Sequence, residues 1–438
     1  MKTTYIRHLL SQDQDGDIIL NGWLSFRRDL GKIVFLDITD STGTMPAVAD
    51  GLYLSTQLME EIRHTPLESA IEVRGRIVIN KSEMKEILLS SFSVISKNLL
   101  QLLPRPRSNF DIFDPSHLGQ IMEYRHIYLR NSKVMAILRF RSNICKILRQ
   151  WFDDNQFMEF DAPLLTPGTL YDDDVAIPIV VHDEKVYLNQ CAGFYIEAGV
   201  HAFERVFSMS PAFRGEESRS KRHLLEFWQV KAEVAFGNRE DIIRLVEDML
   251  GYVTRQCALQ CSDEFDVLET QLCVDGLRSP FPRITYEKAV DVLQRNGCEI
   301  SFGQSISASE EESLSKFFNS PFWIMGMPRT VEPFPYAIDP ADSRITVTAD
   351  LVANRGFGEL LGVAEKIYDL KMLDERLQEK GKLGDPRYQF IREIHQAGCV
   401  PHIAFGMGLE RLIRWLLGLS HVRETIPFPR VLRRRIYP

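Results

Sequence analysis

The stretch Phe213-Arg214-Gly215-Glu216, followed by Arg222-His223-Leu224-Leu225-Glu226-Phe227, gathers an arginine, a glutamate, a histidine and an aromatic ring. Strand-like runs bracket it, Arg205 to Met209 and Phe227 to Phe236. Two antiparallel strands joined by a long basic loop would turn all four groups to one face. Those groups suit a bent ATP: an arginine for the α-phosphate, a cation for the terminal phosphate, an acceptor and a ring for the adenine. Far downstream, Gly406-Met407-Gly408-Leu409-Glu410-Arg411-Leu412 adds a second arginine at a glycine-rich strand-to-helix turn. The expectation from these residues is an enzyme that activates an amino acid with ATP.

The rest of the chain must hold those groups in place. At 438 residues it exceeds one compact core, so two or three domains are expected. Apolar content of 45% and charged content of 26% belong to an ordinary globular protein. No apolar run approaches the ~18 residues that span a bilayer, and Met1 to Tyr5 lack the apolar core of a secretory signal. Seven cysteines without close pairing indicate a reduced cytoplasm. Cys257 and Cys261 have no second ligand pair nearby, which favours buried thiols over a zinc site. The net charge of −8 gives no global pull toward nucleic acid, yet local basic clusters (Arg27-Arg28, Arg219 to His223, Arg430 to Arg435) can hold phosphates.

Residues 15–98 read as short strands. Ile71, Val73, Ile77 and Ile79 alternate with polar neighbours, and Ile33 to Ile38 closes at the turn Asp40-Ser41-Thr42-Gly43. Such a module fits a small barrel of the OB type. Leu103 to Ser108, with two prolines, reads as a linker. The period then changes. Ile137, Phe140, Ile144, Ile147, Leu148 and Trp151 share one helical face, as do Ile242, Leu245, Val246, Met249 and Val253 after a cap at Asn238. Strand-like segments at Lys185 to Asn189, Arg344 to Val352 and His402 to Phe405, and a last helix over Gly408 to Leu419, make the second domain mixed α+β.

With these segments in order, the chain resembles the class II aminoacyl-tRNA synthetases of the aspartate/asparagine/lysine subgroup, and within it most nearly the asparaginyl enzymes. Met135 to Phe152 with Phe157 to Pro163 matches the family's first motif, Phe213 to Glu233 the second, and Gly406 to Leu412 the third. Cys191-Ala192-Gly193-Phe194-Tyr195-Ile196-Glu197, Val400-Pro401-His402 and Ile426 to Arg430 also look asparaginyl. The resemblance implies an OB-fold barrel over 1–102, a linker over 103–130 and a catalytic domain with an antiparallel sheet and flanking helices over 131–438. It implies a ligase that forms an aminoacyl-adenylate and charges tRNA, with ATP and Mg²⁺, in a cytoplasmic homodimer with no membrane partner. Arg214 and Arg411 would be catalytic, on the α- and γ-phosphates. Glu216, His223, Leu224, Phe227, Glu359 and Gly408 would complete the ATP site, and Asp350 and Glu359 would hold the metal. Gly193, Glu197, Lys231, Glu233, Glu332 and Lys366 would bind the amino acid. Arg27, Arg28 and Phe35 would meet tRNA, Phe35 by stacking a splayed base, against the plainer reading of Phe35 as barrel core.

The chain departs from the family where the amino acid is read. Lys231 replaces a glutamate and Glu332 a lysine or arginine, which reads as an exchanged charge pair. Gly193 replaces a glutamine, opening space for a larger substrate, and Ala364 replaces a serine near the metal. In the barrel, Pro46 stands where the family reads a base. Two readings stay open: an asparagine–tRNA ligase, and a paralogue that activates another amino acid or uses another acceptor.

Overall fold

The computed structural model describes residues 1–11, 16–80, 82–100, 111–171, 173–216, 220–272 and 277–438. The linker prolines and Arg219 lie outside them. Two compact units, Met1–Phe110 and Asp111–Pro438, account for the chain. Helical turns at Pro115–His117, Leu118–Glu123 and Arg125–Tyr128 belong to the second unit.

In the first unit, β1 (Asp17–Asp29), β2 (Ile33–Thr39), β3 (Thr44–Asp50), β4 (Ala70–Ile79) and β5 (Lys85–Ser96) form a closed barrel in the order β1-β2-β3-β5-β4. Strict alternation puts Leu20, Leu24, Val34, Leu36, Ile38, Ile71 and Val73 inside. The β3–β5 pairing that closes the ring is parallel, so a crossover is required, and the helix Thr56–His64 lies in the connection between β3 and β4. At Gly75 the β4–β5 register shifts, and a Cβ there would come 2.2 Å from the Leu88 carbonyl oxygen. Only glycine permits that approach.

The second unit is built on a sheet of β6 (Met158–Glu159), β10 (Arg205–Phe213), β11 (Glu226–Ala235), β12 (Arg283–Thr285), β13 (Phe322–Met325), β14 (Thr348–Ala353), β15 (Gly358–Lys366) and β16 (His402–Gly408). Their order is β12-β13-β14-β15-β16-β11-β10-β6, antiparallel at its centre and parallel at the two edges. A small sheet of β7 (Leu165–Thr166), β8 (Pro178–Val181) and β9 (Glu184–Leu188) stands beside it. Of Phe157 to Pro163, only the two residues of β6 join the sheet, at its edge.

One face of the large sheet is apolar. Val230, Ala232, Leu351, Leu361, Phe405 and Met407 pack there against Phe140, Ile144 and Trp151 of the helix Ser132–Asp154 and Ile242, Val246 and Val253 of Arg239–Gln260. Asn238 caps the latter helix with a full capping box. Cys257 and Cys261 are buried free thiols in this core, with no further metal-ligating group joined to them among the described residues. The opposite face carries the site.

Candidate active site

Strand periodicity puts Phe227, Gln229, Lys231 and Glu233 on one face of β11 while Trp228, Val230 and Ala232 face the core. Phe227, Gln229 and Lys231 line a cavity of ≈ 250 Å³ together with Tyr171, Arg214, Glu332, Asp350 and Arg411. The two arginines from motifs almost two hundred positions apart thus meet at one opening.

Arg214 follows directly on β10, and its backbone N–H donates to the Leu225 carbonyl across the hairpin at 3.0 Å. Its guanidinium lies 4.3 Å from the Tyr171 ring and 5.6 Å from the Phe227 ring. Its Nε has no hydrogen-bond partner, a buried donor awaiting one. Arg411 stands on the first turn of the helix Leu409–Leu417, and its Nη1 donates to Glu359 Oε2 at 2.9 Å and to the Glu359 carbonyl at 3.2 Å. Gly408, just before that helix, also lines the cavity, and Leu224 packs at its edge with Phe227, Val422 and Ile426. Glu216 reaches His223 at 3.5 Å.

His223 differs from the expected cation. Burial first, then the charges of Arg411, Arg222 and Arg214, hold its pKa down to about 3, so its ring is neutral. Ser220 meets Nδ1, and Arg411 Nη2 lies 3.4 Å from Nε2. A neutral imidazole can donate its one N–H to a phosphate oxygen but brings no charge of its own.

Acidic groups collect beside these cations. Against the upward push of burial, Arg411 and Arg222 hold the Glu359 carboxyl at about 2. Asp350 is pushed well above its ordinary value by burial and by the charges of Glu359, Glu332 and Glu311. Glu332 is raised to about 7, by burial and then by Glu359. Asp350 and Glu359 both line the cavity and offer oxygen donors of the kind a divalent cation takes. Sequence reasoning passed over Tyr171, Gln229 and Glu311. Glu311 forms a two-point ion pair with Arg222 and accepts the Glu359 backbone N–H at 2.7 Å. Gln229 was legible from the period of β11. Glu311 was not, because it comes from a separate helix, Ala308–Ser315.

The amino-acid half departs furthest from expectation. Glu197, Glu233 and Lys366 do not line the cavity; they are fully buried. Lys366 Nζ lies 2.8 Å from Glu197 and 3.6 Å from Glu233, whose other oxygen is 3.7 Å from His402 Nε2. Glu197 is held at about 2 mainly by Lys366 against its burial, whereas burial lifts Glu233 to about 7 and lowers His402 to about 4. The space at Gly193 is not vacant for a larger ligand: a Cβ there would stand 2.8 Å from Lys231 Nζ. Nor do Lys231 and Glu332 pair. Among the described residues Lys231 makes no ion pair, and its Nζ has Cys191 Sγ at 3.5 Å, while Glu332 feels Glu359, Lys380 and Arg376.

In the barrel, Arg27 Nη1 donates to the Ile62 and Thr65 carbonyls, so it ties down the end of the helix Thr56–His64. Phe35 is 39% exposed and is not core. It sits opposite the exposed Arg28 in the β1–β2 register, with Phe26 opposite Asp37 on the same face. Pro46 continues that second row, opposite Asp37.

A family model for class II tRNA synthetases (D, K and N) matches residues 118–432, and one for the OB-fold nucleic acid binding domain matches 18–95. An asparagine–tRNA ligase of Desulforamulus reducens is 34% identical over 441 residues, covering 100% of both chains. One of Thermus thermophilus is 33% identical, covering 97% of this chain and 98% of its own. The crystal structure of asparaginyl-tRNA synthetase from Pyrococcus horikoshii complexed with asparaginyl-adenylate superposes with a TM-score of 0.91 at 29% identity, over 100% of each chain. No helix among the described residues is long and apolar enough to cross a membrane. The chain is an aminoacyl-tRNA ligase by descent and belongs to the class II tRNA synthetases of the D, K and N group.

Proposed function

We propose that this chain forms an aminoacyl-adenylate from ATP and an amino acid and passes the acyl group to tRNA. Asparagine is the amino acid named by its relatives. The observation that carries the reading is the convergence of Arg214, Phe227 and Arg411 with Asp350 and Glu359 around one cavity on the polar face of the sheet. Phe227 and Arg411 hold the adenine between them, and Glu216 accepts from its amino group. Arg214 draws the α-phosphate and the amino acid's carboxylate together. A carboxylate oxygen attacks the α-phosphorus, the bond to the β-phosphate oxygen breaks, and pyrophosphate leaves with the electron pair. Charge grows on the α-phosphate oxygens and the leaving group, where Arg214 and Arg411 are already fixed, so little reorganisation is needed. Asp350 and Glu359 would hold Mg²⁺, which when bound adds positive charge against the phosphates. A ribose hydroxyl of tRNA then attacks the acyl carbon and displaces AMP.

The exposed row of Phe26, Arg28 and Phe35 supports tRNA as the acceptor, since stacked aromatics beside a cation suit splayed bases. Phe35→Ala should weaken tRNA binding by about 1–3 kcal/mol while adenylate formation continues. Pairing of two chains through the first-motif region completes the reading. The alternative, a paralogue for a different amino acid or acceptor, draws on Lys231. Charging of total tRNA with a panel of radiolabelled amino acids tests the proposal. Acid-precipitable charge with one amino acid is expected; none with any would overturn transfer to tRNA.

A further inference from the structure

Lys231, Gly406, Gly362 and Asp350 form one cross-strand row on the polar face of the sheet, through the β11–β16, β16–β15 and β15–β14 registers. The two middle positions have no side chains. Cα atoms at the ends of three strand steps lie about 14 Å apart. That row lines the cavity, from a lysine at one wall to the carboxyl cluster at the other. The side chains of Asp350 and Gln229 lean over the two glycines: a Cβ at Gly362 would strike Asp350 Oδ1 at 2.9 Å, and one at Gly406 would come 3.3 Å from Gln229 Nε2.

The lysine wall has no ion-pair partner among the described residues. Lys231 is 3% exposed, and its ammonium has a thiol 3.5 Å away as its partner and acts at longer range on Glu233. Glu233, two residues along the same face, is the nearest carboxyl on its own strand, yet it leans on Lys366 and His402. Glu197 is taken by Lys366. The missing side chain of Gly193 leaves room for Nζ where it stands. A buried ammonium is costly without an opposite charge. Arg214 is the partner of the carboxylate that becomes the acyl group, so an anion meeting Lys231 is a second one.

Resting on the adenylate-forming reading above, we propose that the acyl substrate carries a second anionic group on its side chain and that Lys231 binds it. The amino acid is an acidic one, a side-chain carboxylate in place of the neutral amide. Its α-ammonium then faces the acidic wall of Glu332 and Asp350. Gln229, whose Oε1 has no hydrogen-bond partner, lines the cavity two residues before Lys231 on β11.

Amino-acid-dependent ATP–pyrophosphate exchange with purified wild type separates the possibilities. Aspartate or glutamate is expected to give kcat/KM at least ~10-fold above asparagine, since a buried charge partner discriminates strongly. Preference for asparagine, or for any neutral or basic amino acid, overturns the proposal and leaves adenylate formation standing. Exchange with none overturns both. Lys231→Gln should raise KM for the acidic amino acid roughly 30-fold or more, with a far smaller change for ATP; an equal effect on both would contradict the assigned contact. Because Lys231 is buried, calorimetry on wild type supplies a second arm. The non-reactive aspartyl or glutamyl sulfamoyl-adenosine should bind tighter than the asparaginyl one, and equal or reversed affinities overturn the inference.

Discussion

The two halves of the cavity are built differently. On the ATP side, charges are aimed into the opening: Arg214 keeps an unpartnered Nε, and Arg411 leans on Glu359 at its rim. On the amino-acid side, most of the charge has withdrawn. Lys366, Glu197, Glu233 and His402 contact one another beneath the surface, and Lys231 is the cation that reaches the cavity from this side. A half that binds a triphosphate keeps the same groups whatever acyl group is activated, because the phosphates do not change. A half that reads a side chain can be rewired from within, one buried residue filling what another has vacated, as Lys231 does over Gly193.

That contrast predicts a loss of chemistry on one side and a loss of stability on the other. The largest effect falls on the ATP side. Arg411→Ala removes a fixed cation, and exchange should drop by ~10³-fold or more with every amino acid. Retained exchange would remove Arg411 from its role. Next comes the buried pair. Lys366→Met strands Glu197 without its counter-charge and should cost about 3–5 kcal/mol in urea denaturation. A variant as stable as wild type would show that the pair contributes nothing.

Gly193→Ala places a methyl against Lys231 Nζ, Cys191 Sγ and Leu170. Because the ammonium ends a flexible side chain, it shifts more readily than backbone would. The overpacking cost of ~1–3 kcal/mol should surface as a higher KM for the amino acid, with KM for ATP unchanged. Equal changes in both would mean that the halves are not separable. The smallest effect is on pH dependence. Glu233, raised to about 7 from an ordinary 4.5, holds a proton in the fold that the unfolded chain releases. Its contribution is complete below pH 4.5 and is lost as the pH rises through 7. Glu197, held at about 2, works in the opposite sense: its contribution is present above pH 4.5 and fades as the pH falls toward 2. Glu233→Gln should therefore flatten the fall in stability between those limits, by at most ~1.4 kcal/mol per pH unit. Denaturation at a series of pH values reads the slope directly.

The same division runs through what could be read in the sequence. The barrel was legible because Ile71, Val73 and Ile77 alternate with polar neighbours and lie inside, whereas Ile79, read into the same pattern, ends β4 exposed to solvent. The ATP half was legible because Arg214 to Phe227 is a local hairpin and Arg411 opens a helix after a glycine. In the amino-acid half, the unusual residues were visible and their geometry was not. Gly193 read as open space because the ammonium that fills it comes from another strand. Lys231 and Glu332 read as a pair because their charges are complementary, and the fold sets them at different walls. The burial of Glu197, Glu233 and Lys366 depends on three separate elements closing over one another, which no local pattern encodes. Spacing alone did not show that the end of the helix Thr56–His64 engages Nη1 of Arg27, a residue read as a tRNA contact.

The central claim is that one cavity joins ATP to an amino acid through Arg214 and Arg411. Amino-acid-dependent exchange of labelled pyrophosphate into ATP tests it most directly. Exchange that needs both the amino acid and the intact Arg411 is predicted. Absence of exchange with every amino acid, or exchange that Arg411→Ala leaves unchanged, would contradict it.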